Sequence, residues 1–264
     1  MSRPLVEQYR ELQHLVGPRP DGRGRPRVGD YFGKYRIRRR IAAGGFATVY
    51  EALDRIEGRR VALKIPLAVD SESREWFRRE VRLAARLEHP NILPLKSADV
   101  IDGLLVCAFP LGDESLHHRL ARRMSINVGL EYSEQILAGL AHVHQHGIVH
   151  CDIKPENFIV FPGRQLRLAD FGLAKTSARM LRGSASGTVE YMAPEHQEGR
   201  PSMRSDVFSA GLVIYRLLTG VLPEAPSTPP SDPRWRTWPE ARAHLLSLAL
   251  GGFWAERREF PLAR

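Results

Sequence analysis

His150-Cys151-Asp152-Ile153-Lys154-Pro155-Glu156-Asn157, followed after a strand-like run by Asp170-Phe171-Gly172, is the stretch on which the reading of this 264-residue chain turns. It gathers the carboxylates of Asp152, Glu156 and Asp170, an ammonium and an amide oxygen into a short span bounded by apolar sequence. Phosphoryl transfer needs a carboxylate to orient an attacking hydroxyl, a cation on the transferred phosphate and oxygen ligands for Mg²⁺. Asp152, Lys154, Asn157 and Asp170 supply that set.

Upstream, the loop Ile41-Ala-Ala-Gly44-Gly45-Phe46-Ala47 lies between two strand-like runs. Unsubstituted backbone there can approach phosphate oxygens, although a Gly-Gly hairpin turn explains the loop equally well when it is taken alone. Val61-Ala62-Leu63-Lys64 is a strand with one lysine on an otherwise apolar run, and a buried ammonium needs a partner. Glu80 is the candidate: helical spacing puts it on the face of Phe77, Ala84 and Leu87. An ordinary solvated glutamate is the competing reading of that segment.

Taken in order, these segments resemble the eukaryotic-type (Hanks-type) serine/threonine protein kinases, in their catalytic loop and their Mg-binding Asp-Phe-Gly motif. The resemblance runs from about residue 31 to 260 and implies an α+β, bilobal kinase fold: a small β-rich N-lobe with one main helix, over about 31–109, a hinge over about 110–114, and a mainly helical C-lobe from about 115 to 264. It implies ATP and Mg²⁺ as cofactors and a protein substrate with a Ser or Thr acceptor. Asp152 and Lys154 look like the catalytic pair, Lys64 and Glu80 like the phosphate-holding ion pair, and Asn157 and Asp170 like the metal ligands. Ile41, Gly44, Gly45, Val49 and Ala62 would cover the nucleotide from above and Ile159 from below. The hinge follows the strand Leu105–Phe109. Its register is set by proline: with Phe109 as gatekeeper, Pro110 falls where only a carbonyl is required and Gly112 supplies the N–H that adenine needs. Gly187-Thr188-Val-Glu-Tyr-Met-Ala-Pro-Glu195 resembles the end of the activation segment, and with Lys154 it points to the serine/threonine branch. Asp206 opens the motif of the buried helix that anchors the large lobe, and Arg257 is spaced to pair with Glu195.

Three departures from the family stand out. Ala42 and Ala47 replace the usual first and third glycines of the phosphate loop, which stiffens it without removing a catalytic group. Cys151 replaces the arginine that usually gathers an activation-segment phosphate, and a thiol cannot make that charge-assisted bidentate bond. Activity independent of activation-segment phosphorylation is therefore expected, although Thr176, Ser177, Ser184, Ser186 and Thr188 are available as autophosphorylation sites. Finally, 69 residues follow Glu195, fewer than the family's last helices use, so the final helix is expected to be missing.

Composition sets the remaining bounds. Hydrophobic content of 43% with 26% charged residues is globular, and no apolar run approaches the ~20 residues that would span a bilayer. Two cysteines give no disulfide framework and, without a secretory signal, fit a reducing, cytoplasmic setting. The formal charge of +9 comes almost wholly from arginine, with Arg36–Arg40 the densest cluster, and reads as a solvated strand face. Without zinc-finger spacing or an RNA-binding signature, nucleic acid is disfavoured as a partner. Residues 1–30 read as an amphipathic segment followed by a Gly/Pro/Arg-rich linker. His142, His144 and His146 form a helical cluster with no third metal ligand in view, and are read as structural. Two other functions compete: a small-molecule phosphotransferase of the same fold, disfavoured by the Thr188–Glu195 segment, and a catalytically silent scaffold, disfavoured by the full set of polar residues.

Overall fold

A computed structural model describes residues 25–43, 47–67, 78, 81–171 and 189–222. The chain divides into two compact units, one ending at Gly112 but including Asp170 and Phe171, the other running from Asp113 to Ala169 and continuing after the activation segment.

The first unit is built on a six-stranded antiparallel sheet in the order β1-β2-β3-β4-β6-β5. Its strands are β1 (Tyr31–Phe32), β2 (Tyr35–Ala43), β3 (Ala47–Asp54), β4 (Arg59–Pro66), β5 (Ser97–Ile101) and β6 (Leu104–Pro110). Period-2 alternation sets the faces. Val61, Leu63 and Ile65 of β4 are buried with Tyr50, Ala52, Ile37 and Val106 in one apolar cluster, while Ala62 and Lys64 point the other way. Burying each of the larger aliphatic side chains stabilises the unit by roughly 1.5–3 kcal/mol. A second cluster forms where helical residues Val81 and Ala84 meet Leu95, Leu105 and Cys107. The turn between β3 and β4 is fixed by Asp54, whose Oδ1 accepts the N–H groups of Ile56 and Glu57 at 3.0 and 3.1 Å and whose Oδ2 meets Lys34 Nζ at 2.9 Å. Burial alone would raise the Asp54 carboxyl, but the Lys34 ammonium and the two N–H donors outweigh it and hold the group below its ordinary value.

Residues 25–30, at the end of the stretch read as linker, pack against the sheet. Arg25 donates to Thr48 Oγ1 at 3.0 Å and to the Pro66 carbonyl at 2.6 Å, Pro26 is buried, and Gly29 N–H bonds the Ile37 carbonyl. Residues 25–30 are thus part of the sheet unit; a Pro/Gly/Arg composition does not reveal that an arginine will find two acceptors at the ends of β3 and β4.

The second unit holds a small sheet, β7 (Glu114–Ser115), β8 (Phe158–Phe161) and β9 (Gln165–Leu168), and the helices α1 (Leu116–Leu120), α2 (Ile126–Gln145), α3 (Pro194–Gln197) and α4 (Met203–Thr219). Ser125 caps α2, and Tyr132, Ile136, Leu140 and Val143 form its buried stripe against α4 and β9. The two long helices approach closely at Gly129, where a Cβ would meet Leu218 Cδ2 at 3.0 Å and the Leu217 carbonyl at 3.3 Å. The periodic apolar segments at 128–146 and 205–219 form α2 and α4, and the β-branched runs at 36–41, 48–53 and 61–65 form β2, β3 and β4, with boundaries that differ from the apolar pattern by at most two residues.

Candidate active site

Within the first unit, β3, β4 and β6 bring together the residues expected around a nucleotide. Val49 pairs with Lys64, Ala62 with Phe109 and Lys64 with Cys107, so all five share the face opposite the large apolar cluster. Lys64 Nζ lies 2.8 Å from Asp170 Oδ1, with the lysine side chain 13% exposed. Asp170 has φ +67, a left-handed conformation uncommon for a non-glycine residue. Ile41 is exposed near the end of β2, Pro110 ends β6, and Pro110 and Gly112 are half-buried. Gly44, Gly45 and Glu80 lie outside the described residues.

In the second unit the residues of the Asp152–Asn157 loop are held from three sides. Asp152 is 5% exposed; its Oδ2 accepts from Asn157 Nδ2 at 3.0 Å and lies 2.9 Å from Lys154 Nζ. Asn157 Nδ2 also donates to the Asp152 carbonyl at 2.7 Å, and the one-turn helix Pro155–Asn157 carries it back onto the loop. Asp152 Oδ1 is buried and has no hydrogen-bond partner among the described residues. A buried carboxylate oxygen left unpaired is costly unless something else binds it. Ile159, the expected floor residue, lies in β8 and is half-buried.

The loop's backbone is anchored by Asp206, in the first turn of α4 and 1% exposed. Its Oδ1 accepts the Cys151 N–H at 2.8 Å, and its Oδ2 accepts the His150 N–H at 2.7 Å and His144 Nε2–H at 3.0 Å. Cys151 has φ +65, so a two-ended carboxylate holds a strained residue directly before Asp152. The His150 ring completes the anchor: Nδ1 accepts the Asp152 N–H at 3.3 Å, while Nε2–H reaches the Ala169 carbonyl at 3.1 Å. Neither cysteine forms a disulfide, and both are buried. Glu195 Oε1 accepts from Ser205 Oγ at 3.0 Å; Thr188 and Arg257 lie outside the described residues, as does the region expected to lack a final helix.

Sequence reasoning assigned Asp206 its anchoring place only by resemblance, and it missed His144, whose helical spacing with His142 and His146 says nothing about a distant aspartate. It also missed the contact between Arg216 Nη1 and Tyr191 Oη, 2.6 Å apart. Burial pushes the Tyr191 phenol up, against the opposing pull of Arg216.

This geometry agrees with what the chain is similar to. Residues 35–232 match the protein kinase domain family. The chain belongs to that family, in its Hanks-type serine/threonine branch. It is 38% identical over 217 residues to serine/threonine-protein kinase PknA of Mycobacterium tuberculosis, covering 76% of this chain and 50% of that one. It is 37% identical over 204 residues to the probable serine/threonine-protein kinase pknA2 of Bifidobacterium longum, covering 72% of this chain and 27% of that one. The chain thus spans between about a quarter and a half of the length of these curated relatives. The crystal structure of the Mycobacterium tuberculosis PknI kinase domain superposes with a TM-score of 0.63 at 28% identity, covering 86% of this chain and 91% of that one.

Proposed function

We propose that this chain transfers the γ-phosphate of ATP to serine or threonine hydroxyls of protein substrates, in a signalling role. The observation that carries the reading is the buried Asp152 carboxylate, with one oxygen tied to Asn157 and Lys154 and the other unpartnered among the described residues. In the proposed step the substrate hydroxyl binds Asp152 Oδ1, its oxygen attacks the γ-phosphorus, and the bond from that phosphorus to the β,γ-bridging oxygen breaks. The proton passes to Asp152 and ADP carries away the bridging electron pair. Lys154, already beside Oδ2, is placed to meet charge on the transferring phosphoryl group.

Asn157 and Asp170 are the residues proposed to hold Mg²⁺. Their donors are hard oxygens, and Asn157 commits its amide nitrogen to Asp152, which turns its carbonyl oxygen away from that contact. When bound, the ion neutralises phosphate charge. Lys64 takes the α- and β-phosphates, with Asp170 and Glu80 as its carboxylate partners in turn; Val49, Ala62, Phe109, Pro110, Gly112 and Ile159 enclose adenine.

The test is incubation with Mg-ATP and a generic basic protein, followed by mass spectrometry of both chains. Phosphoserine and phosphothreonine are expected. No incorporation into either chain, or incorporation into tyrosine alone, overturns the proposal.

A further inference from the structure

The positive charge of this chain is not spread over it. Residues 25–67 carry nine arginines and two lysines against four aspartates and glutamates, a net of +7 out of +9 for all 264 residues. Sheet register places part of that charge in one row. Tyr31 pairs with Arg36, Arg36 with Leu53, and Leu53 with Arg60, so four neighbouring strands present these side chains on one face. The β3–β4 turn adjoins the row, since the Arg55 guanidinium carbon lies 4.8 Å from the Tyr31 ring centroid and that of Arg36 lies 5.9 Å from it.

Two properties of this face exceed what a solvated strand requires. Arg36 and Arg55 make no ion pair among the described residues, and Arg60 has only a 3.5 Å contact to Glu51, a carboxylate already held by Arg39 at 2.7 Å. Large apolar surface is also exposed among the cations: Tyr31 is 61% exposed, and Ile56, in the turn itself, is 79% exposed.

We infer that this face is a docking surface for an anionic lipid bilayer. A bilayer interface takes both components together: headgroup phosphates and carboxylates receive the guanidinium groups, and the boundary below them receives Ile56 and the edge of Tyr31. Nucleic acid is served less well, because two guanidinium groups already lie against the one exposed aromatic ring of the row, which removes it as a platform for a base. The inference is independent of catalysis and does not rest on the proposed activity.

The test is sedimentation of the full chain with phosphatidylcholine vesicles, with and without phosphatidylserine, at low and at physiological salt. Binding is expected only with phosphatidylserine and weaker as salt rises. Arg36→Glu combined with Arg55→Glu lowers the affinity by at least about tenfold, Ile56→Ser by a few-fold, and Arg123→Glu, on the second unit, leaves it within about twofold. Circular dichroism melts of each variant separate loss of the surface from loss of fold, and Ile56→Ser, at an exposed turn, keeps the test alive should the double variant unfold. The inference is overturned by absence of binding at low salt, by equal loss with Arg123→Glu, by insensitivity to Ile56→Ser, or by tighter capture of duplex DNA or polyglutamate than of the anionic vesicles.

Discussion

Asp206→Asn isolates the anchor of the His150–Asn157 loop. The carboxylate accepts two backbone N–H groups and the His144 ring while almost wholly buried. Asparagine has the same shape but offers one acceptor oxygen; its amide NH₂ must face either the Cys151 N–H or the His150 N–H and His144. At least one buried donor loses its partner, which costs about 1–3 kcal/mol, and the remaining bond loses its charge assistance. The expected sum is about 2–4 kcal/mol, below the 5–15 kcal/mol typical of a domain, so the variant folds. With a urea m-value of about 2 kcal/mol/M, the unfolding midpoint followed by circular dichroism drops by about 1–2 M. The loss reaches the chemistry too. Cys151 sits at φ +65 at a cost of roughly 1–2 kcal/mol, and without its bond to Asp206 it relaxes and carries Asp152 with it. Phosphoryl transfer is therefore expected to fall in kcat with little change in KM for ATP. His144→Ala, which removes only one of the three bonds, costs about 1 kcal/mol. An Asp206→Asn chain with the parent midpoint and kcat refutes the reasoning.

Treatment with a phosphatase is expected to leave the initial rate within about twofold, because Cys151 cannot make the charge-assisted bonds an arginine would make to a phosphate; a large loss on treatment counts against this. Gly33→Ala lowers stability by about 1–2 kcal/mol in thermal or urea unfolding, since the residue has φ +55 and a Cβ would meet Ile101 Cδ1 at 3.1 Å; an unchanged midpoint contradicts the strain. Asp54 is held below its ordinary value in the folded chain, so its contribution is full above the unfolded carboxyl pKa near 3.9 and disappears as pH falls through the folded value. Between neutral pH and about pH 3, the parent should therefore lose more stability than Asp54→Asn does, and parallel curves would show that the Lys34 pairing is not the cause.

Much of the fold was legible because its elements follow local rules: alternation marks β3 and β4, and 3.6-residue periodicity marks α2 and α4. The Asp152–Asn157 loop stands out in the sequence because phosphoryl transfer needs particular residue types close together. What escaped depends on distant partners or on backbone angles. Nothing local predicts that Cys151 and Asp170 take positive φ, since both residues usually lie elsewhere; the angle at Cys151 is held by Asp206, 55 positions away. Arg25 looked like linker because its acceptors, Thr48 Oγ1 and the Pro66 carbonyl, become neighbours only when β3 pairs with β4. The arginines of β2 are exposed, but only the cross-strand register shows which of them line up with Tyr31 and the β3–β4 turn.

The measurement that tests the central claim most directly is transfer of radiolabel from γ-labelled ATP with Mg²⁺, comparing the parent chain with Asp152→Asn. Asparagine preserves the contact to Asn157 but cannot take the hydroxyl proton, so the account predicts incorporation into serine and threonine by the parent and a fall of about 10²–10⁴-fold in the variant. Equal incorporation by the two chains, or none by either, contradicts it.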